Sequence, residues 1–227
     1  MTSVEAKDLK SLYIIAFYAT IVMLVIIPIQ ILVFSITKIP TITIEWLKLF
    51  NTNVLLGFFH SDFFILINNV LIVIIYLAFY DSLKDINKGI MQIGIVLGFI
   101  GIAAYISSNK TFELLKLSHE YFQTNDNNQK QILEAAGKAS LIGWQGTAFD
   151  TYYVLNGIAL FCISLVMLKS NNYKKATAIW GLIAAIFMVI PSTAGIVGLI
   201  FSLLSLIPWY IFSIMFCKVF YQKAKII

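Results

Sequence analysis

The sequence predicts an all-α fold: a polytopic membrane helix bundle with six transmembrane helices. Three observations carry this. The 227 residues are 60% hydrophobic and only 12% charged, against roughly 45–50% and about 25% in soluble domains. The mean hydropathy is +0.89. Several apolar runs exceed the ~18 residues needed to cross about 30 Å of hydrocarbon. The chain is expected to form one transmembrane domain over residues 1–227, with a polar insertion at about 107–141.

The six spans are placed at Ser11–Ile36, Val54–Tyr80, Gly89–Ile106, Ile142–Leu168, Ala176–Ile190 and Ile196–Phe220. The first follows the mixed-charge start MTSVEAKDLK and lacks a small-residue cleavage site, so it reads as a retained helix and not a signal peptide. Pro28 and Pro208 fall inside the first and sixth spans, where neighbouring helices can re-satisfy the freed carbonyl. PSTAG at 191–195 reads as a tight turn between the last two. TITIEWLKLF at 41–50 has the pattern of a short interfacial helix. Two helical stretches around NDNN at 125–128 suggest a helical hairpin within the insertion.

Lysines set the orientation. With both termini cytoplasmic, ten lysines lie inside and six outside, and four of those six sit in the long insertion, where the positive-inside rule weakens. The hairpin between helices 3 and 4 is then external. The net charge of +5 carries no nucleic-acid motif, and every basic residue is lysine. The partners expected are the lipid bilayer, a small-molecule, ion or lipid ligand, and a protein partner at the external hairpin, with no nucleic acid. Cys162 and Cys217 lie in apolar segments and read as small buried hydrophobes. No cofactor is specified.

The chemistry is sought in polar residues placed within hydrocarbon. GFFHSDFFILINNVLI at 57–72 carries His60, Asp62, Asn68 and Asn69. FDTYYVLNGIAL at 149–160 repeats the pattern, with Asp150, Tyr152, Tyr153 and Asn156. In each, an asparagine follows an aspartate by six residues, which suggests an internal repeat of a helix pair of the kind found in carriers. Asp62 and Asp150 both lie about eight residues into spans running inward, roughly 12 Å below the outer boundary. The expectation is that they meet, or line one outward-facing cavity. On a regular helix His60 points nearly opposite to Asp62, whereas Gly143, Gly146, Asp150, Tyr153 and Gly157 share one face, with Gln145 alongside. An intramembrane charge costs at least about 2.5–3.5 kcal/mol, which favours function. The amides can instead join helices by hydrogen bonds worth about 0.6–2 kcal/mol. Gly94, Gly98 and Gly101 fit close helix packing.

The chain resembles a bacterial family of six-helix membrane proteins of unknown function. The resemblance lies in the lysine-bearing start, in Gly57 followed by Ser61-Asp62, in the insertion between spans three and four, and in a fourth helix rich in glycine and aromatics. It implies the architecture and a bacterial cytoplasmic membrane, and no activity. No hydrolase, P-loop or metalloprotease motif is present. The expected role is therefore non-enzymatic: binding of a small cation, proton or lipid-like ligand, as a transporter or transport accessory. The alternatives are an intramembrane hydrolase or transferase using the same acids, with a metal on His60, and an immunity- or sensor-type interaction subunit.

Overall fold

A computed structural model describes the backbone of residues 3–226 and the side chains of residues 7–226. The described chain is helical with no strand. Ten helices follow in order: α1 Ser3–Ile36, α2 Thr43–Thr52, α3 Val54–His60, α4 Phe63–Leu83, α5 Lys88–Ser108, α6 Thr111–Gln123, α7 Asn127–Trp144, α8 Thr147–Met167, α9 Lys175–Met188 and α10 Gly195–Ile226. Five stretches are long and apolar enough to cross a membrane. α9 is apolar but has only 14 residues, about 21 Å of helix. The membrane-type bundle is thus established, while the sixth expected span is a shorter helix.

Six helices form a closed ring in the order α1, α4, α5, α8, α9, α10 and back to α1. α5 against α8 is the tightest joint, and glycines create it. A Cβ on Gly94 would stand 2.9 Å from Cys162 Cβ, and one on Gly98 would stand 2.4 Å from the Tyr76 ring. Gly101 faces the Asn156 amide in the same way. These are the small residues that let membrane helices approach closely, where dispersion contacts and hydrogen bonds replace the hydrophobic drive.

Three shorter helices form a cap at the end of the ring where α1, α5 and α9 finish and α4, α8 and α10 begin. α6 and α7 make the expected helical hairpin, and it packs on α2. α2 is helical as expected, but its apolar face is covered by the hairpin. Trp46 meets Trp144 edge-on at 5.6 Å, the Ser118 hydroxyl donates to the Leu47 carbonyl at 2.6 Å, and Gly137 lies under Thr43. The PSTAG turn forms where expected, with Gly195 at φ +63.

The opposite end is filled by rings. Phe79 of α4 packs on Phe212, Phe216 and Phe220 of α10 at 5.8, 4.9 and 5.3 Å. Tyr173, just before α9, packs on Phe79 from the other side and shares a 2.8 Å hydrogen bond with Ser82. Tyr13 of α1 donates to Asp81 at 2.8 Å, and Lys84 pairs with the same carboxylate at 2.6 Å. The hydrogen bond that Lys84 donates to Asp81 is the main reason its ammonium is held above its ordinary pKa.

If the glycine seam sets the α5–α8 distance, Gly94→Ala should lower the melting temperature of the purified protein. Its Cβ would overlap a neighbouring Cβ, with the Ala159 backbone 3.4 Å behind it, and overpacking of this kind costs about 1–3 kcal/mol. Gly143→Ala, with no atom within 4 Å of the new Cβ, should cost nothing. An equal response of the two variants in thermal unfolding would refute the seam.

Candidate functional site

The expected second span is broken. α3 ends at His60, and Asp62 takes the left-handed conformation, φ 58 and ψ 24, before α4 starts at Phe63. The helical wheel drawn across His60 and Asp62 therefore does not apply. Both side chains turn toward α1. The His60 ring stacks on Phe34 at 5.5 Å, with 5° between planes, and its Nε2 lies 3.0 Å from Thr37 Oγ1. That hydroxyl already gives its only proton to the Val33 carbonyl at 2.6 Å. Nε2–H must then be the donor, which leaves Nδ1 as an acceptor, and Nδ1 is buried with no partner.

Asp62 meets α1 one helical turn away. Gln30 Nε2 donates to Asp62 Oδ1 at 2.8 Å, and the Tyr105 hydroxyl of α5 approaches the same carboxyl. The preceding residue is clamped from the hairpin side. Asn109 Nδ2 donates to the Ser61 carbonyl at 2.8 Å, and the Thr111 hydroxyl lies 2.7 Å from Ser61 Oγ. Asn109 is only 8% exposed.

Asp62 opens onto a cavity of about 340 Å³ inside the ring, on the hairpin side. Of the nine side chains singled out in the sequence, Asp62, Asn68, Gln145, Tyr152, Tyr153 and Asn156 line it. Three do not. His60 is held behind Thr37. Asn69 is fully buried beside the Tyr152 hydroxyl, with both amide atoms outside any formed hydrogen bond. Asp150 accepts a short hydrogen bond from the Thr193 hydroxyl, pinning the 191–195 turn to the first turn of α8. The expectation that both aspartates line one cavity is corrected: α8 begins only at Thr147, which carries Asp150 to the turn side. The expected shared face also dissolves, since Gly143 ends α7, Gly146 caps α8 in extended conformation, and Gly157 packs on Val189.

The second asparagine of the repeat has its polar atoms satisfied. Tyr76 donates to Asn156 Oδ1 at 2.9 Å, and Asn156 Nδ2 donates to the Tyr152 carbonyl at 3.2 Å. Two other lining residues carry unpaired amide oxygens. Gln30 Oε1 and Asn68 Oδ1 are buried with no partner, the residues being 3% and 5% exposed. No lysine or arginine lines the wall. Sequence reasoning missed Gln30, Tyr76 and Tyr105. Gln30 left one signal, as the lone amide in the apolar run IIPIQILVF.

A metal held by His60 and both aspartates is not supported, because the three sit at separate places. Among the described residues, no three His, Cys, Asp or Glu side chains gather as a ligand set.

The left-handed position gives a test of the break itself. Asparagine and glycine tolerate this conformation, whereas a β-branched residue does not. Asp62→Asn and Asp62→Gly should therefore unfold near the wild-type temperature. Asp62→Val should lose roughly 1–2 kcal/mol from backbone crowding alone. A valine variant as stable as the glycine variant would mean that residue 62 is helical.

No curated protein and no solved structure matches the chain. A family profile does, over residues 11–218. With almost the whole ring and cap inside that match, the chain belongs to the family described as "Domain of unknown function (DUF4386)".

Proposed function

We propose that this multi-pass protein of the bacterial cytoplasmic membrane binds a small cationic, hydrogen-bond-donating ligand in the hairpin-side cavity, with Asp62 as its anchor. The observation that carries this is the surplus of acceptors. Asp62, Gln30 and Asn68 all line one space, Gln30 Oε1 and Asn68 Oδ1 have no partner, and no lysine or arginine lines the wall. A buried acceptor without a partner costs about 1–3 kcal/mol, more for a charged group. A ligand ammonium brings both the missing donors and the missing charge. Tyr105, Tyr152, Tyr153 and Trp209 place aromatic rings around the same space, and such rings favour a cation over their faces.

A protonated carboxyl would answer the charge but would leave Gln30 and Asn68 unpaired. The aromatic packing around Phe79 fills the far end of the ring, so the arrangement supports a binding pocket open toward one side in preference to a continuous channel. The lysine distribution supports an orientation with the hairpin, and with it the cavity, on the outer face. Transport of the same ligand would require that aromatic end to part.

The test is thermal stabilisation of the purified chain by methylammonium, with tetramethylammonium as the donor-free comparison. Methylammonium should raise the melting temperature in a saturable manner, and tetramethylammonium should do so far less. Asp62→Asn should abolish the difference while remaining folded. A response that persists in Asp62→Asn, or equal responses to the two cations in the wild type, would overturn the assignment.

A further inference from the structure

The ring is sealed unevenly between α1 and α10. Toward the aromatic end the two helices are in close contact. Phe17 packs on Tyr221 at 5.1 Å, Tyr13 packs on Phe220 at 5.9 Å, and the Tyr210 hydroxyl bonds to the Leu24 carbonyl. Toward the cap this changes. Ile31 of α1 and Leu203 of α10 both line the cavity, yet they are 46% and 56% exposed. Side chains that border an internal space and the outer surface together mark a mouth. Its flanks are apolar: Leu32 and Ile207 are each 60% exposed. In a membrane bundle, such outward apolar faces meet acyl chains and not water.

The cavity wall is divided in the same sense. Asp62, Gln30 and Asn68 supply acceptors, while Ile27, Ile72 and Leu206 supply aliphatic surface. At about 340 Å³ the space lies at the small end of the roughly 300–1,000 Å³ typical of small-molecule sites. That suits one chain better than the paired chains of a phospholipid.

Resting on the reading of Asp62 as a cation anchor, we infer that the ligand is a single-tailed amphiphilic amine that enters sideways from the bilayer between α1 and α10. Its ammonium would reach Asp62, Gln30 and Asn68, and its tail would lie along the aliphatic wall and out through the mouth at Ile31 and Leu203. Lateral entry matches the chemistry, because such a molecule is already concentrated in the bilayer by its tail.

The full chain in lipid nanodiscs, titrated with methylammonium and with octylammonium, tests this. Octylammonium should stabilise the wild type at a half-saturating concentration lower by roughly tenfold or more, as partitioning of its methylenes into the bilayer dictates. Asp62→Asn should respond to neither amine. The double variant I31W/L203W, which fills the mouth, should lose the preference for octylammonium over methylammonium. If octylammonium acts equally on the double variant, or no better than methylammonium on the wild type, the lateral route and the tail are refuted while the anchor stands. If neither amine stabilises the wild type, or if Asp62→Asn responds to octylammonium as the wild type does, the anchor and this inference fall together.

Discussion

The junction at Ser61 and Asp62 ties together three parts of the chain that are remote in sequence. A non-glycine residue in the left-handed region costs roughly 1–2 kcal/mol, so the surroundings must hold it there. The Ser61 amide bonds back to Gly57, and the Asp62 carbonyl accepts from Leu66, so the chain leaves one helix and enters the next with little lost backbone pairing. The Ser61 carbonyl receives Asn109 and Thr111 from the root of the hairpin. The Asp62 carboxyl receives Gln30 from α1. If the junction were straight helix, the cap would lose its anchoring acceptor, and Asp62 would not be presented as it is to α1 and the cavity.

The rest of the bundle is arranged so that polarity collects at that junction. Glycines on α5 draw α8 close enough for Tyr76 to reach Asn156 through the space beside Gly98 and Gly101. This hydrogen bond lies deep in the ring and leaves its members satisfied. Phenylalanines of α4 and α10 occupy the far end. Between the satisfied pair and the cap remain the unpaired amide oxygens of Gln30 and Asn68, beside the Asp62 carboxyl that accepts from Gln30. Uncompensated polarity inside an apolar wall is costly.

Much of the architecture was legible in the sequence. Hydropathy located the long helices, NDNN marked the hairpin, PSTAG marked the last turn, and the glycine stripe of GIVLGFIG foretold the α5–α8 seam. The site was legible in part. The apolar period is indifferent to a one-residue kink, and HSDFF contains neither glycine nor proline, the usual breakers, so the wheel was drawn through a turn. The same limit misassigned Asp150. WQGTAFD begins a new helix, and that places its aspartate beside Thr193 in place of the cavity. Gln30 and Tyr105 were overlooked because each stands apart from the other polar groups of its span, without the clustering that drew attention to residues 60–69.

The two aspartates therefore differ in kind despite matching motifs. Asp150 has a hydroxyl partner and sits at a helix N-terminus, where backbone N–H groups and the dipole favour a carboxylate. Its environment accounts for it fully, as a staple between a turn and a helix. Asp62 also precedes a helix, but its side chain makes no capping bond. It faces an amide whose own carbonyl is unpaired and a space lined by Asn68, whose amide oxygen is also unpaired. A structural role would be served by satisfied partners, as Asn156 demonstrates. The excess of acceptors at Asp62 is what distinguishes a place built to receive a cation from one built to hold helices together.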